Sequence, residues 1–137
     1  MAGVVAGTLA VIGLLHVYWA LAGTGAGTSA MIPEVDGRPA FKPGRAATLA
    51  IAMLLEIAAA LVALQGRLFT IDGLPPALIR VGASGVALVL AARGVGDFRL
   101  AGISKRVRGT RFARLDSLVF TPLCFALAAG IVVVVVA

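Results

Sequence analysis

Residues 93–116 read RGVGDFRLAGISKRVRGTRFARLD, and their charge decides the fold. Seven of the twelve Lys and Arg residues fall here: Arg93, Arg99, Lys105, Arg106, Arg108, Arg111 and Arg114. On either side the sequence turns apolar, over 77–92 before the stretch and 117–137 after it, and two further apolar runs, 3–23 and 46–65, fill the first half. Each is close to the roughly 20 residues with which a helix crosses about 30 Å of hydrocarbon. Four crossings place the first and third connections on one side of a bilayer. The first connection adds Arg38, Lys42 and Arg45, so ten of the twelve cations share that side, and only Arg67 and Arg80 lie on the other. The positive-inside rule then puts the connections 24–45 and 93–116 in the cytoplasm and both termini outside. The expected fold is all-α: one integral membrane domain over 1–137, a four-helix up-down-up-down bundle with helices at about 3–23, 46–65, 77–98 and 117–137.

Composition leads to the same class. With 61% hydrophobic and 13% charged residues and a mean hydropathy of +1.07, a chain of 137 residues cannot hide its apolar surface in a water-soluble core. Lipid must cover the remainder. A net charge of +6 and a pI near 11.1 would suggest nucleic acid in a soluble protein. Beside membrane spans, anionic lipid headgroups are the more economical partner, and no nucleic acid is expected. Cys124 is the only cysteine, which excludes an intrachain disulfide. Met1 to Leu15 carries no charged side chain, unlike a cleaved secretory leader, so the first run reads as a retained span.

Glycines, prolines and charges set the expected boundaries. Helix 1 should end in the glycine-rich stretch 23–27, a candidate hinge. Pro75 and Pro76 suit the first turn of helix 3, where their missing N–H groups would have no partner. Asp116 or Ser117 can cap helix 4, and Pro122 a turn later can bend it, freeing a carbonyl near Asp116.

Polar residues inside the spans are the functional candidates, because an ionisable group in hydrocarbon costs several kcal/mol unless compensated. Glu56 stands eleven residues after Arg45, roughly 16 Å along the helix and near mid-bilayer. Ala52, Ala59, Ala60 and Ala63 share its side, a small-residue surface suited to helix contact. Glu56 should therefore face the bundle interior, either as a proton acceptor or ligand contact or in a structural hydrogen bond to His16 or an Arg. His16 lies about two turns from the end of helix 1, and an antiparallel neighbour could bring it to Glu56. Such a pair could exchange protons. Trp19 and Tyr18 equally fit an interfacial aromatic belt. Arg80 and Arg93 bracket too few residues to span the hydrocarbon, so at least one must snorkel or occupy a polar site. Arg93 and Asp97 are four apart, within reach of an ion pair. At least one Arg–Asp contact is expected among Arg93, Asp97, Arg114 and Asp116, which flank one connection. The Lys105, Arg106, Arg108, Arg111 and Arg114 cluster reads most simply as an orienting, lipid-contacting patch. The long first connection, with Pro33, Pro39, Pro43 and Phe41, suggests an ordered flap over the cytoplasmic mouth. No serine elbow, phosphate loop or metal-ligand spacing is present, so neither cofactor nor metal is indicated.

These segments resemble a known family. The HVYWALAG stretch from His16, the Pro33 to Pro43 loop, the RGVGDF stretch from Arg93, the TRFARLD stretch from Thr110 and the TPLC stretch from Thr121 are similar to small bacterial four-span membrane proteins grouped as a domain of unknown function. The resemblance covers nearly the whole chain and implies a bacterial inner-membrane location. It also implies that His16, Trp19, Pro33, Arg93, Asp97, Arg114, Asp116 and Pro122 match the recurring pattern. No activity comes with it.

The expected function is thus a cytoplasm-facing polar pocket that binds a small or lipid-like ligand, through Trp19, Arg93, Asp97, Arg114 and Asp116, or serves as an interaction module. One alternative is an intramembrane acid–base enzyme, an isomerase or hydrolase of a lipophilic substrate, with His16 and Glu56 as catalytic residues and Arg93 steadying negative charge. Another is a dimeric proton-coupled exporter, since four spans of this size could line a transport path only as a homo-oligomer.

Overall fold

The computed structural model describes residues 1–23 and 31–137. Four long helices cross the molecule: α1 (Ala2–Ala22), α2 (Arg45–Gln65), α3 (Pro76–Val95) and α4 (Arg111–Val136). All four are long and apolar enough to span a membrane, and a third or less of each span is buried inside the bundle. Large apolar side chains such as Leu14, Leu54, Leu88 and Leu118 point outward instead. That surface needs a lipid solvent.

The order is up-down-up-down, closed into a ring. Helices α1 and α2 pack antiparallel along their length, from Ala2 against Gly66, through Gly13 against Glu56, to the Arg45 Nε donating to the Ala20 carbonyl at 3.0 Å. Gly82 of α3 receives Leu61 of α2, and the Phe125 ring of α4 lies on Gly94 of α3. Gly130 of α4 meets Val5 of α1 and completes the ring. At these crossings glycine lets the backbones approach, as expected where dispersion rather than water drives helix association. The core comprises Val5, Leu9, Ala59, Val62, Ala83, Ala87, Leu127 and Ile131 with their alanine neighbours. It occupies the half of the bundle distal to the basic connections. The polar chemistry is in the other half.

Boundaries differ from the sequence expectation chiefly in α4. It begins at Arg111, six residues before the expected start, and Thr110 rather than Asp116 or Ser117 caps it, its Oγ1 accepting from the Ala113 N–H at 3.0 Å. The apolar run alone does not mark the start, because Phe112 and Ala113 are buried in a segment that the arginines make look like loop. Helix α3 stops at Val95 rather than 98, at Gly96 with φ 96. Pro75 and Pro76 open it as expected. Within α4, Asp116–Phe120 form one π-helical turn in which the Thr121 N–H donates to the Asp116 carbonyl, five residues back. Pro122 follows and has no N–H to offer, so the predicted disturbance takes the form of a wider turn.

In the first connection a two-residue hairpin pairs β1 (Glu34–Val35) with β2 (Arg38–Pro39). Asp36 (φ 52) and Gly37 (φ 75) form its turn, with both central residues at the positive φ that such turns require. Pro33 is buried and its carbonyl accepts from Ala40. Beyond Gly23, the hinge expected at 23–27 lies outside the described residues.

Candidate functional site

The most densely bonded side chain among the described residues is Asp116, fully buried in the π-helical turn. Its Oδ1 accepts from Arg93 Nη2 at 2.8 Å. Its Oδ2 accepts from the Gly102 N–H at 2.8 Å, Lys105 Nζ at 2.9 Å and Thr121 Oγ1 at 3.2 Å. Four donors meet this carboxylate, three of them on Oδ2. They come from α3, the third connection and α4, so one side chain ties three segments together. Two cations surround one anion, leaving an excess positive charge. Arg93 Nη1 is buried with no hydrogen-bond partner among the described residues.

The third connection is folded to serve this centre. Beyond α3, the N–H groups of Ile103 and Ser104 donate to the carbonyls of Gly94 and Val95 at 3.0 and 3.1 Å, and Ser104 Oγ adds a second bond to Val95 at 2.6 Å. The free carbonyls at the helix end are thereby satisfied. The crossing needs Gly96 and Gly102, both at positive φ, since a Cβ on either would run into the backbone of the other segment. Asp97 Oδ1 accepts from the N–H groups of Arg99, Leu100 and Ala101 at 3.0, 2.6 and 2.9 Å. Burial raises the pKa of the Asp97 carboxyl, but the hydrogen bonds from Ala101, Leu100 and Arg99 outweigh it and hold the group below its ordinary value.

The expected Arg–Asp contact between the end of helix 3 and the start of helix 4 is thus present as Arg93–Asp116. The Arg93–Asp97 ion pair is not: Arg93 Nη2 is bonded to Asp116, while Asp97 Oδ1 takes three backbone N–H groups of its own connection. Lys105 also departs from the lipid-contacting patch assigned to it: it is 6% exposed and donates to Asp116 and to the Gly102 carbonyl. Sequence reasoning missed it because a lysine among four arginines reads as surface charge. No periodic spacing marks the pairing, because Lys105 and Asp116 are eleven residues apart across an irregular connection.

Beside this centre, the 103–109 segment and the first turns of α4 enclose a groove of about 510 Å³. Arg108, Arg114, Ser117 and Thr121 provide its polar wall, and Ile103 and Leu118 its apolar rim. Arg114 is exposed, and neither it nor Arg108 takes part in an ion pair among the described residues.

Glu56 and His16 are not hydrogen-bonded to each other. The His16 Nδ1–H donates to the Ile12 carbonyl at 2.8 Å, and its ring meets Trp19 edge-on at 5.1 Å. Glu56 points into the bundle as expected, with its carboxyl seated on Gly13 of α1. Its Oε1 is buried without a hydrogen-bond partner among the described residues. Ala52, Ala59 and Ala63 are buried on the same side, whereas Ala60 is exposed. Tyr18 is exposed and Trp19 partly so. Among the described residues no group of His, Cys, Asp or Glu converges as a metal-ligand set.

Four membrane-competent helices closed into a ring, with a buried carboxylate at the basic end, define a small polytopic membrane bundle. The family model described as "Protein of unknown function (DUF3995)" matches residues 9–131, and the chain belongs to this family. No curated protein and no solved structure matches the chain.

Proposed function

We propose that the protein is a bacterial inner-membrane binder of an anionic, lipid-like ligand, with both termini outside and connections 24–45 and 93–116 in the cytoplasm. The ligand's acidic group lies in the groove against Arg108, Arg114 and Ser117, and its hydrocarbon follows Ile103 and Leu118 towards the lipid. The observation that carries this reading is the unbalanced charge. Asp116, the acid buried here, is already shared by Arg93 and Lys105, and no ion pair among the described residues neutralises the groove arginines. A phosphate or carboxylate from the ligand would. The Asp116 centre then acts as scaffold: it holds the 96–110 connection against α4 and keeps the groove open. Asp97 fixes the turn that starts this connection, and Trp19 sits at the same end of the bundle on α1.

Native mass spectrometry of the purified chain tests this reading. Wild type should retain one more acidic lipid than Arg108→Gln/Arg114→Gln does, while Arg111→Gln, outside the groove lining, retains as many as wild type. Equal retention by the double variant would overturn it.

A second reading draws on one observation, the buried Glu56 oxygen without a partner. In a dimeric proton-coupled exporter, that carboxyl would alternate between proton and cationic substrate. Glu56→Gln should then abolish transport in vesicles while leaving assembly intact. The acid–base enzyme has less support, since His16 is engaged with Ile12 and Glu56 packs on Gly13.

A further inference from the structure

At the end of the bundle away from Asp116, a second groove of about 650 Å³ opens between the end of α2 and the start of α3. Its walls include Leu64, Phe69, Ile71 and Ile79, with two cations, Arg67 and Arg80. No ion pair among the described residues involves either arginine.

The backbone at Arg67 is unusual. Helix α2 ends with the Leu68 N–H donating to the Ala63 carbonyl at 2.9 Å and the Arg67 N–H to the Leu64 carbonyl at 3.0 Å. This double bond pattern is the Schellman motif, whose left-handed residue is usually glycine. Here Arg67 takes that position, with φ 55, although the residue before it is Gly66 at φ −79. A long charged side chain is kept where glycine would sit with less strain, and such a backbone outlier motivates a functional hypothesis. Arg80 lies in the second turn of α3, roughly 6 Å from the helix start, next to the outward-facing Val81. From that position a long arginine side chain can snorkel to headgroup phosphates.

We propose that this groove binds an anionic phospholipid of the adjacent leaflet, its phosphate held by Arg67 and Arg80 and an acyl chain laid along Ile79 and Val81. Guanidinium forks suit phosphate oxygens. No carboxylate lines the groove, so the ammonium of an ethanolamine headgroup has no counter-charge there, and an uncharged glycerol headgroup fits better.

Thermal unfolding of the full chain in detergent, titrated with phosphatidylglycerol, phosphatidylethanolamine or inorganic phosphate, provides the test. An Arg108→Gln/Arg114→Gln background removes the groove arginines of the other end, so the two sites are read separately. Phosphatidylglycerol should still raise Tm in that background, and the other two ligands should not. Adding Arg67→Gly or Arg80→Gln should raise the phosphatidylglycerol concentration needed for a given Tm shift about tenfold each, the value of a charge-assisted hydrogen bond. Glycine suits the left-handed position, so Arg67→Gly should unfold at or above the wild-type temperature without lipid. A phosphatidylglycerol shift unchanged by both substitutions would overturn the proposal. So would an equal shift with inorganic phosphate or with phosphatidylethanolamine.

Discussion

Asp116 is the residue on which the basic end depends. Asp116→Asn keeps the shape but leaves a buried lysine and a half-buried arginine without their anion, a change that costs about 3–5 kcal/mol for a buried pair. A matching loss of thermal stability in detergent, with the 96–110 connection becoming sensitive to protease, is the expected outcome. Asp97 acts on the same connection through its backbone bonds. Its pKa is lower in the folded chain than in the unfolded one, so its contribution is complete above about pH 4 and is lost as pH falls through the depressed native value. Proteolysis at 96–110 should therefore accelerate on acidification below that range, and Asp97→Asn should flatten the pH dependence. At Gly13 a methyl group would meet the Glu56 carboxyl and force that side chain off its seat, so Gly13→Ala should cost about 1 kcal/mol, whereas Gly7→Ala, with open space around it, should cost nothing. Equal effects from the two substitutions would contradict the α1–α2 packing. Glu56's depth and its alanine neighbours were readable from spacing alone. That it rests on Gly13 and not on His16 was not, since both are on α1 about one turn apart and the pattern cannot fix rotation to that accuracy.

The elements show where pattern reading succeeds and fails. All four spans follow from apolar run length, because hydrocarbon thickness sets a helix length that local detail cannot alter. The start of α4 does not, since its first turn holds Arg111 and Arg114 and looks like the basic connection before it. The cap was nonetheless present in sequence as Thr110 before a buried Phe112. Thr110→Ala should lower stability by about 1 kcal/mol, as loss of an N-cap hydrogen bond does, and Thr110→Asp should preserve it. The π-helical turn shows how a proline signal is expressed. Pro122 announced a disturbance near Asp116, but only the structure reveals that the turn widens and leaves Asp116 at the focus of donors from three segments. The Asp36–Gly37 hairpin turn was legible as a dipeptide signal, yet the prolines around it suggested only an ordered loop.

At the scale of the molecule, the bundle divides into an apolar half and a polar half, with grooves at both ends carrying arginines outside any ion pair among the described residues. The class of protein is legible in sequence because hydropathy and charge asymmetry are sums over many residues. The site is less so, because it depends on Lys105, Gly102 and Thr121 meeting one aspartate across three segments. A cytoplasmic ligand site requires that the basic end face the cytoplasm and the opposite connection face out. Single cysteines at Arg99→Cys and Asp72→Cys, both exposed, in a Cys124→Ala background test this with a membrane-impermeant maleimide on intact cells. Labelling of the Asp72→Cys chain alone, with Arg99→Cys reacting only after the membrane is permeabilised, is the predicted result. Labelling of Arg99→Cys on intact cells would contradict the orientation and the cytoplasmic ligand site with it.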